Sequence, residues 1–397
     1  MGGLFKTKVK DLSSMKRPIL FILTVNIALF FGCAKSDEIN VNAATDQIPI
    51  NEIQTIGSHN SYRIKTYQPI YDLLVFVKAL LPKEYNIDEL DYTHVPLKNQ
   101  LSDYGMRSIE LDIYNDPDGR FYFRRGNSLV QESDSSYIGA LAQPGFKIIH
   151  IPDIDYQTHH VTFIDALRTL QEWSMLHPTH LPIYILVELK EESLYPTFPS
   201  FTKVAPFDEQ AMNKIDEEIE SVFAASIGKV LTPDIVRNGK SNLMDVVQTR
   251  QWPALNKARG KFCFILNTKK AYAELYKKGR PNLEGRKCFI FADASNPVEP
   301  FILQDDPTDI AVIKNLVDKG FMVRTRCDAG TMEARTGDIK RMNNAIQSGA
   351  QILSTDYYKP DPRADSSVAW TKYKVSFDNG AVAKTARKVL IDNNQWE

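Results

Sequence analysis

The chain has 397 residues, 48 Lys+Arg against 49 Asp+Glu, and a formal charge of −1. Its 43% hydrophobic and 24% charged fractions are those of an ordinary globular protein, which excludes a disordered chain, a coiled coil and a polytopic membrane protein. The balanced charge also argues against non-specific nucleic-acid binding, so no nucleic-acid partner is expected.

The first 47 residues stand apart from the rest. Lys6, Lys8, Lys10, Lys16 and Arg17 precede an apolar run from Pro18 to Phe31, followed by Gly32-Cys33. A positive start, a short apolar middle and a small residue before a cleavage point describe a secretory signal over residues 1–33 rather than a membrane span. A Cys directly after the small residue resembles a bacterial lipoprotein signal, in which Cys33 is the lipidated first residue of the mature chain. A plain signal peptide is the alternative. Residues 34–47 are polar and read as a tether. The product is expected to be exported, either as a membrane-anchored lipoprotein of the cell envelope or as a secreted protein.

Residues 48–397 read as one large domain. Strand candidates follow in order at 51–57, 107–113, 146–151, 182–189, 261–266, 287–292, 320–325 and 350–355. Helical periodicity appears around 96–104, 161–176, 208–225, 270–278, 308–318, 335–348 and 381–393. Eight strands alternating with helices point to an α/β protein, and a TIM-type (β/α)8 barrel closes that number without edges. A doubly wound open sheet is the rival fold. No Gly-rich phosphate loop follows any strand, which counts against its nucleotide-binding versions.

In such a barrel chemistry sits at the C-terminal ends of the strands. Strand one runs into Ser58-His59-Asn60. Strand two carries Glu110 and Asp112, whose i, i+2 spacing points both to one face. Strand three ends at His150, strand four carries Glu188 and Lys190, strand seven carries Arg324, and strand eight runs into Asp356-Tyr357. Carboxylates inside a barrel are costly unless compensated. Three of them with the amide oxygen of Asn60 form an all-oxygen set that suits Ca2+ or Mg2+ rather than Zn2+, since neither Cys nor His shows zinc spacing. The bland alternative is that these acids form salt bridges with Arg107, Lys190 or Arg324. Two strand-end histidines beside them, His59 and His150, fit acid/base chemistry at phosphorus. His94, His159, His160, His177 and His180 read as local hydrogen-bonding residues, and Cys263, Cys288 and Cys327 as packed thiols.

Taken together, the runs IGSHNSY (56–62), VPLKNQLSDYGMRSIELDIYNDPDG (95–119), PGFKIIHIPDIDYQ (144–157), EWSMLHPTHLPIYILVELK (172–190), FMVRTRCDAGTMEAR (321–335) and SGAQILSTDYYKPDP (348–362) resemble one known family. It is the bacterial and fungal Ca2+-dependent phosphatidylinositol-specific phospholipase C family, part of the PLC-like phosphodiesterase barrels. The resemblance implies that His59 and His150 are catalytic and that Asn60, Glu110, Asp112 and Glu188 ligate Ca2+. It makes Lys190 and Arg324 contacts to phosphate or inositol hydroxyls, and Asp328, Asp356 and Tyr357 rim candidates. It further implies a phospholipid or inositol phosphodiester substrate, cleaved to diacylglycerol and a cyclic inositol phosphate, by a protein acting as a monomer. In that scheme His150 is expected to protonate the leaving group and His59 to stabilise the transition state. The Cys pair common in that family is missing here. The near rival is a glycerophosphodiester phosphodiesterase on the same barrel, and the distant one a non-catalytic surface lipoprotein that binds headgroups.

One stretch remains outside this reading. Tyr67 to Leu81 (YQPIYDLLVFVKALL) follows strand one and is unusually apolar for a rim segment. It reads first as a packed helix. Second, it reads as a surface that dips into lipid.

Overall fold

The structure, a computed structural model, describes residues 45–80, 86–122, 138–195, 199–385 and 390–391. The chain divides into two units, Met1–Asn40 and Val41–Glu397, and every described residue lies in the second. The signal segment, Cys33 and nearly all of the tether lie outside the described residues. No helix among the described residues is long and apolar enough to cross a membrane.

Eleven strands are described. They are β1 (Ile53–Ser58), β2 (Ser108–Tyr114), β3 (Lys147–Ile148), β4 (Ile183–Leu189), β5 (Phe262–Asn267), β6 (Cys288–Asp293), β7 (Phe301–Leu303), β8 (Met322–Arg326), β9 (Ile352–Thr355), β10 (Ala383–Thr385) and β11 (Leu390–Ile391). Strands β1, β2, β4, β5, β6, β7, β8 and β9 pair in parallel, each with the next, and β9 returns to β1. The result is a closed eight-stranded parallel barrel. Its walls are buried on both sides, so β1, β2 and β5 show almost no exposed position.

The barrel count of eight holds, but its membership differs from the expectation. Residues 146–151 do not enter the barrel. Only Lys147 and Ile148 are strand, and they run antiparallel to the end of β2. The eighth barrel strand is β7, a three-residue run between Pro300 and the loop at Gln304. It follows β6 without an intervening helix and pairs with the C-terminal half of β6. A second correction concerns 381–393, whose alanines suggest a helix. The chain there forms β10, antiparallel to Ile53–Thr55 of β1. β1 meets β2 only at Gly57↔Ser108, which leaves its first half open to a strand partner. Pairing overrides helix propensity at such an edge.

The helices that matter are α1 (Gln68–Val77), α2 (Leu97–Ser102), α3 (Phe163–Leu176), α4 (Glu209–Phe223), α5 (Lys270–Lys277), α6 (Ile310–Asp318), α7 (Met332–Thr336) and α8 (Lys340–Ser348). α3 starts where the Thr162 side chain caps the Asp165 amide at 3.2 Å. It buries Phe163, Ala166, Leu167, Leu170 and Trp173, a single 3.6-residue stripe. α4 is capped by Asp208 on the Ala211 amide at 2.8 Å and buries Met212, Ile215, Ile219 and Phe223 in the same way. The two stripes close one continuous core around the barrel. Cys263, Cys288 and Cys327 are free and buried within it.

Candidate active site and metal centre

The mouth of the barrel is stitched together by the turn after β1. The His59 amide donates to the Thr355 carbonyl of β9 at 3.0 Å, and the Ser61 amide to the Glu110 carbonyl of β2 at 3.0 Å. Ser61 Oγ accepts from the Glu110 amide at 2.8 Å. Asn60, between them, has φ of +47°, a left-handed conformation that Asn tolerates better than most residues. Gln100 of α2 braces the turn from below, donating to the Ser61 carbonyl at 2.7 Å. His59 and Asn60 are thereby fixed over the seam between β9 and β2.

Each histidine is held by its own carboxylate. His59 Nδ1 meets Asp356 Oδ1 at 2.8 Å, and Asp356 Oδ2 accepts from Arg326 at 2.8 Å. His150 Nδ1 meets Asp155 Oδ2 at 2.7 Å, and the same oxygen accepts from Arg63 Nε at 2.7 Å. Thr66 Oγ1 donates to the other oxygen of Asp155 at 2.6 Å. Burial opposes ionisation of Asp155, but Arg63 and the His150 contact hold its carboxyl well below the usual range. Burial, helped by the Arg326 charge and resisted by Asp356, pushes His59 down to about 3, so this imidazole is neutral at neutral pH. With Nδ1 committed to Asp356 as donor, Nε2 is left as the basic nitrogen.

Glu110, Asp112 and Glu188 offer one oxygen each within 4.8 Å of one another. The β2–β4 register sets Asp112 directly beside Glu188, and the two-residue alternation brings Glu110 to the same inner face. Burial raises Glu110 to about 7 despite Arg324, and burial with the Glu188 charge raises Asp112 well above the ordinary carboxylate range. Three acids so placed resist simultaneous ionisation unless a cation joins them. Asp112 Oδ1 is buried with no hydrogen-bond partner among the described residues. Tyr62 lies beside it but outside bonding geometry. Asn60 is buried in the turn whose next residue, Ser61, bonds to the Glu110 carbonyl. An orphaned carboxylate oxygen in an all-oxygen cluster fits a hard divalent cation.

The expected salt bridges also exist. Arg324 Nη2 donates to Glu110 Oε2 at 2.7 Å and Nη1 binds Asp305. Lys190 Nζ sits 3.3 Å from Glu188 Oε1 and 3.7 Å from Asp112 Oδ2. Arg107 points elsewhere, to the Leu101 and Met106 carbonyls. Glu110, Asp112, Glu188 and Asp305 thus share two cationic side chains, which leaves room for a divalent ion to balance the remaining charge. Tyr357 is buried and its hydroxyl has no partner among the described residues. It lines a cavity of about 310 Å3 with Tyr92, His94, Asp356 and Arg363. His94 Nε2 donates to the His59 carbonyl (2.7 Å), and His159 Nε2 to the His94 carbonyl (2.8 Å). His180 is buried against Ser174 at 2.9 Å, far from the mouth.

The sequence reading missed Asp155, Arg63, Arg326 and Asp305. Asp155 lies five residues after His150, inside the 144–157 run, and Arg63 four after His59, one residue beyond the 56–62 run. Nothing in their spacing says that the two meet across the barrel mouth.

A family model described as phosphoinositide phospholipase C, Ca2+-dependent, matches residues 48–386. The chain belongs to that family. It is accordingly an enzyme of the phosphoinositide phospholipase C type. Among solved structures it is similar to a calcium-dependent phosphoinositol-specific phospholipase C from Pseudomonas sp, at 16% identity over 86% of this chain and 96% of that one, TM-score 0.48. It is also similar to a Ca2+-dependent phosphatidylinositol-specific enzyme from Streptomyces antibioticus, at 13% identity over 78% and 95%, TM-score 0.46. A glycerophosphoryl diester phosphodiesterase from Parabacteroides distasonis aligns at 13% identity over 87% and 96%, TM-score 0.33. No curated protein matches the sequence. The phospholipase C assignment thus rests on the family match over most of the chain.

Proposed function

We propose that the protein cleaves phosphatidylinositol-type phospholipids in a Ca2+-dependent reaction, releasing diacylglycerol and a cyclic inositol phosphate. The observation that carries this reading is the pair of carboxylate-held histidines, His59–Asp356 and His150–Asp155, at the mouth that holds the Glu110, Asp112 and Glu188 cluster. The inositol 2-hydroxyl is already tethered beside the phosphodiester, so proximity supplies much of the rate. His59 Nε2 takes the proton of that hydroxyl, because its Nδ1 side is occupied by Asp356. This differs from the transition-state role expected from sequence. His150, held through Nδ1 by Asp155, delivers a proton to the departing diacylglycerol oxygen. Asn60, Glu110, Asp112 and Glu188 would hold Ca2+, which supplies charge stabilisation at a phosphoryl oxygen. Lys190 and Arg324 offset part of the charge of those carboxylates and face substrate phosphate from among them. Tyr357 offers an unpaired hydroxyl to an inositol oxygen.

The same proposal puts the protein outside the cytoplasm, anchored through lipidated Cys33 or secreted, as a monomer of tether and barrel once the signal is removed. The experiment for the chemistry is replacement of each histidine. His59→Ala and His150→Ala are expected to keep the far-ultraviolet spectrum of the parent and to lose at least about a hundredfold in turnover. Near-parental turnover in either removes it from the mechanism.

A further inference from the structure

Asp328 follows β8 by two residues, and the resemblance sets it at the rim. The structure buries it completely instead. Its oxygens are taken up by the chain that leaves β9. Oδ1 accepts from the Asp356 amide at 2.8 Å, and Oδ2 accepts from the Thr355 hydroxyl. That hydroxyl oxygen in turn accepts from the Tyr357 amide at 2.8 Å. Tyr373 Oη also reaches Asp328 Oδ2, at 3.5 Å. The β8–β9 ladder ends at Arg326↔Ser354. Asp328 therefore supplies to residues 355 and 356 the acceptors that the neighbouring strand no longer offers.

Thr355 and Asp356 are the two residues on which His59 hangs. The Thr355 carbonyl accepts from the His59 amide at 3.0 Å, and Asp356 Oδ1 accepts from His59 Nδ1 at 2.8 Å. Main chain and imidazole of one histidine are thus referenced to a single dipeptide. Asp328 grips that dipeptide by a hydroxyl and an amide, while Arg326 holds Asp356 Oδ2 at 2.8 Å. The arrangement is costly. Asp328 and Asp356 are both buried, and burial with the Asp356 charge pushes the Asp328 carboxyl up to about 7 despite Arg326. A packed apolar residue at 328 would burden the fold less, and local conflict of this kind is expected where geometry serves function.

We propose that Asp328 is a positioning residue for the reaction: it fixes the Thr355–Tyr357 turn so that the Asp356 carboxylate meets His59 Nδ1 and His59 Nε2 faces the substrate. Asp328 itself touches no substrate. The proposal rests on the catalytic reading of His59. Which ring nitrogen of an imidazole carries the proton is set by the hydrogen bond the other makes, so a displaced Asp356 releases the tautomer as well as the orientation. Loss of such outer support lowers turnover and leaves the contacts that bind substrate in place.

The test compares the full parent chain with Asp328→Ala, Asp328→Asn and Thr355→Val, all with added Ca2+. Asp328→Asn keeps an oxygen for the Asp356 amide, and Thr355→Val keeps the shape of the side chain without its hydroxyl. Ring-nitrogen shifts of 15N-labelled histidines, read through the carbon-bound protons and assigned with His59→Ala and His150→Ala, report each tautomer. The parent is expected to hold His59 with its proton on Nδ1. Asp328→Ala is expected to mix the His59 tautomers, to leave His150 unchanged, and to lower kcat at least about tenfold with KM within about twofold. Asp328→Asn is expected to restore the single tautomer and most of the turnover. Thr355→Val is expected to show the Asp328→Ala pattern more weakly, about threefold in kcat, and it decides the matter if Asp328→Ala does not fold. An unchanged His59 tautomer and kcat in the deciding variant overturns the proposal. So does a parent whose His59 carries no proton on Nδ1, an equal disturbance of His150, or a loss in Asp328→Asn equal to that in Asp328→Ala. A His59 tautomer that depends on Asp328, in a chain whose His59→Ala variant turns over normally, upholds the positioning and overturns the catalytic reading of His59 instead.

Discussion

His150 and Arg63 share a single carboxylate oxygen of Asp155, at 2.7 Å each. That oxygen orients the imidazole and also neutralises a fully buried guanidinium. Asp155→Asn removes the charge from both. Turnover is expected to fall about a hundredfold or more, as when an orienting group is lost, and stability falls too, because Arg63 is left buried without its counter-ion. A variant with parental kcat would show that His150 needs no such support. Asp112 gives a second residue-scale prediction. Ca2+ is expected to raise the thermal midpoint of the parent by mass action, and Asp112→Asn to lose most of that rise. An equal rise in the variant places the ion elsewhere. Of the candidate residues, His59, Glu110, Asp112, His150, Glu188, Lys190 and Arg324 gather at the mouth, Asn60 lies in the turn after β1, and Tyr357 lines a cavity beside Asp356. Sequence order and period-two alternation made that legible. What stayed hidden was which acid each cation takes, since Arg324–Glu110 is a pairing across the barrel between strands far apart in the chain.

At the scale of elements, the long amphipathic helices were plain and the short strands were not. α3 and α4 announce themselves by a stripe and a capping residue. β7 has three residues beside a proline and no periodicity to read, so only its neighbours β6 and β8 define it. β10 is made of residues that favour a helix and is strand because β1 has a free half-edge. α4 also carries a titratable group that packing has displaced. Glu218 accepts the Phe146 amide at 3.2 Å, is buried, and burial raises its carboxyl to about 7. The fold therefore favours its protonated form. The stability this group contributes is present below about pH 4.5 and is lost as pH rises through about 7. Glu218→Gln, which keeps the acceptor, is expected to flatten that fall and to stabilise the protein by up to about 3 kcal/mol at pH 8. Parallel pH profiles of thermal unfolding for parent and variant would contradict this.

For the whole molecule the weak point is the seam. Seven of the barrel contacts are multi-residue ladders, whereas β1 and β2 meet at Gly57↔Ser108 alone. The strands approach so closely there that a Cβ on Gly57 would lie 2.3 Å from Ser108 Cβ and 2.5 Å from its carbonyl oxygen. Gly57→Ala must push the seam apart, and the turn that carries His59 and Asn60 begins two residues later. A loss of about 2 kcal/mol or more in chemical denaturation is expected, together with weakened Ca2+ binding. An unchanged midpoint would mean that the seam yields easily. The balanced overall charge has a local meaning in this architecture. Glu110, Asp112, Glu188 and Asp305 share the Lys190 and Arg324 side chains, and a divalent ion would offset their remaining charge. The central claim is tested most directly by product analysis of the purified chain with phosphatidylinositol and with glycerophosphodiesters at controlled free Ca2+. Diacylglycerol and cyclic inositol phosphate are expected from phosphatidylinositol, abolished by EGTA and restored by added Ca2+. Cleavage that ignores EGTA, or a preference for glycerophosphodiesters, would contradict it.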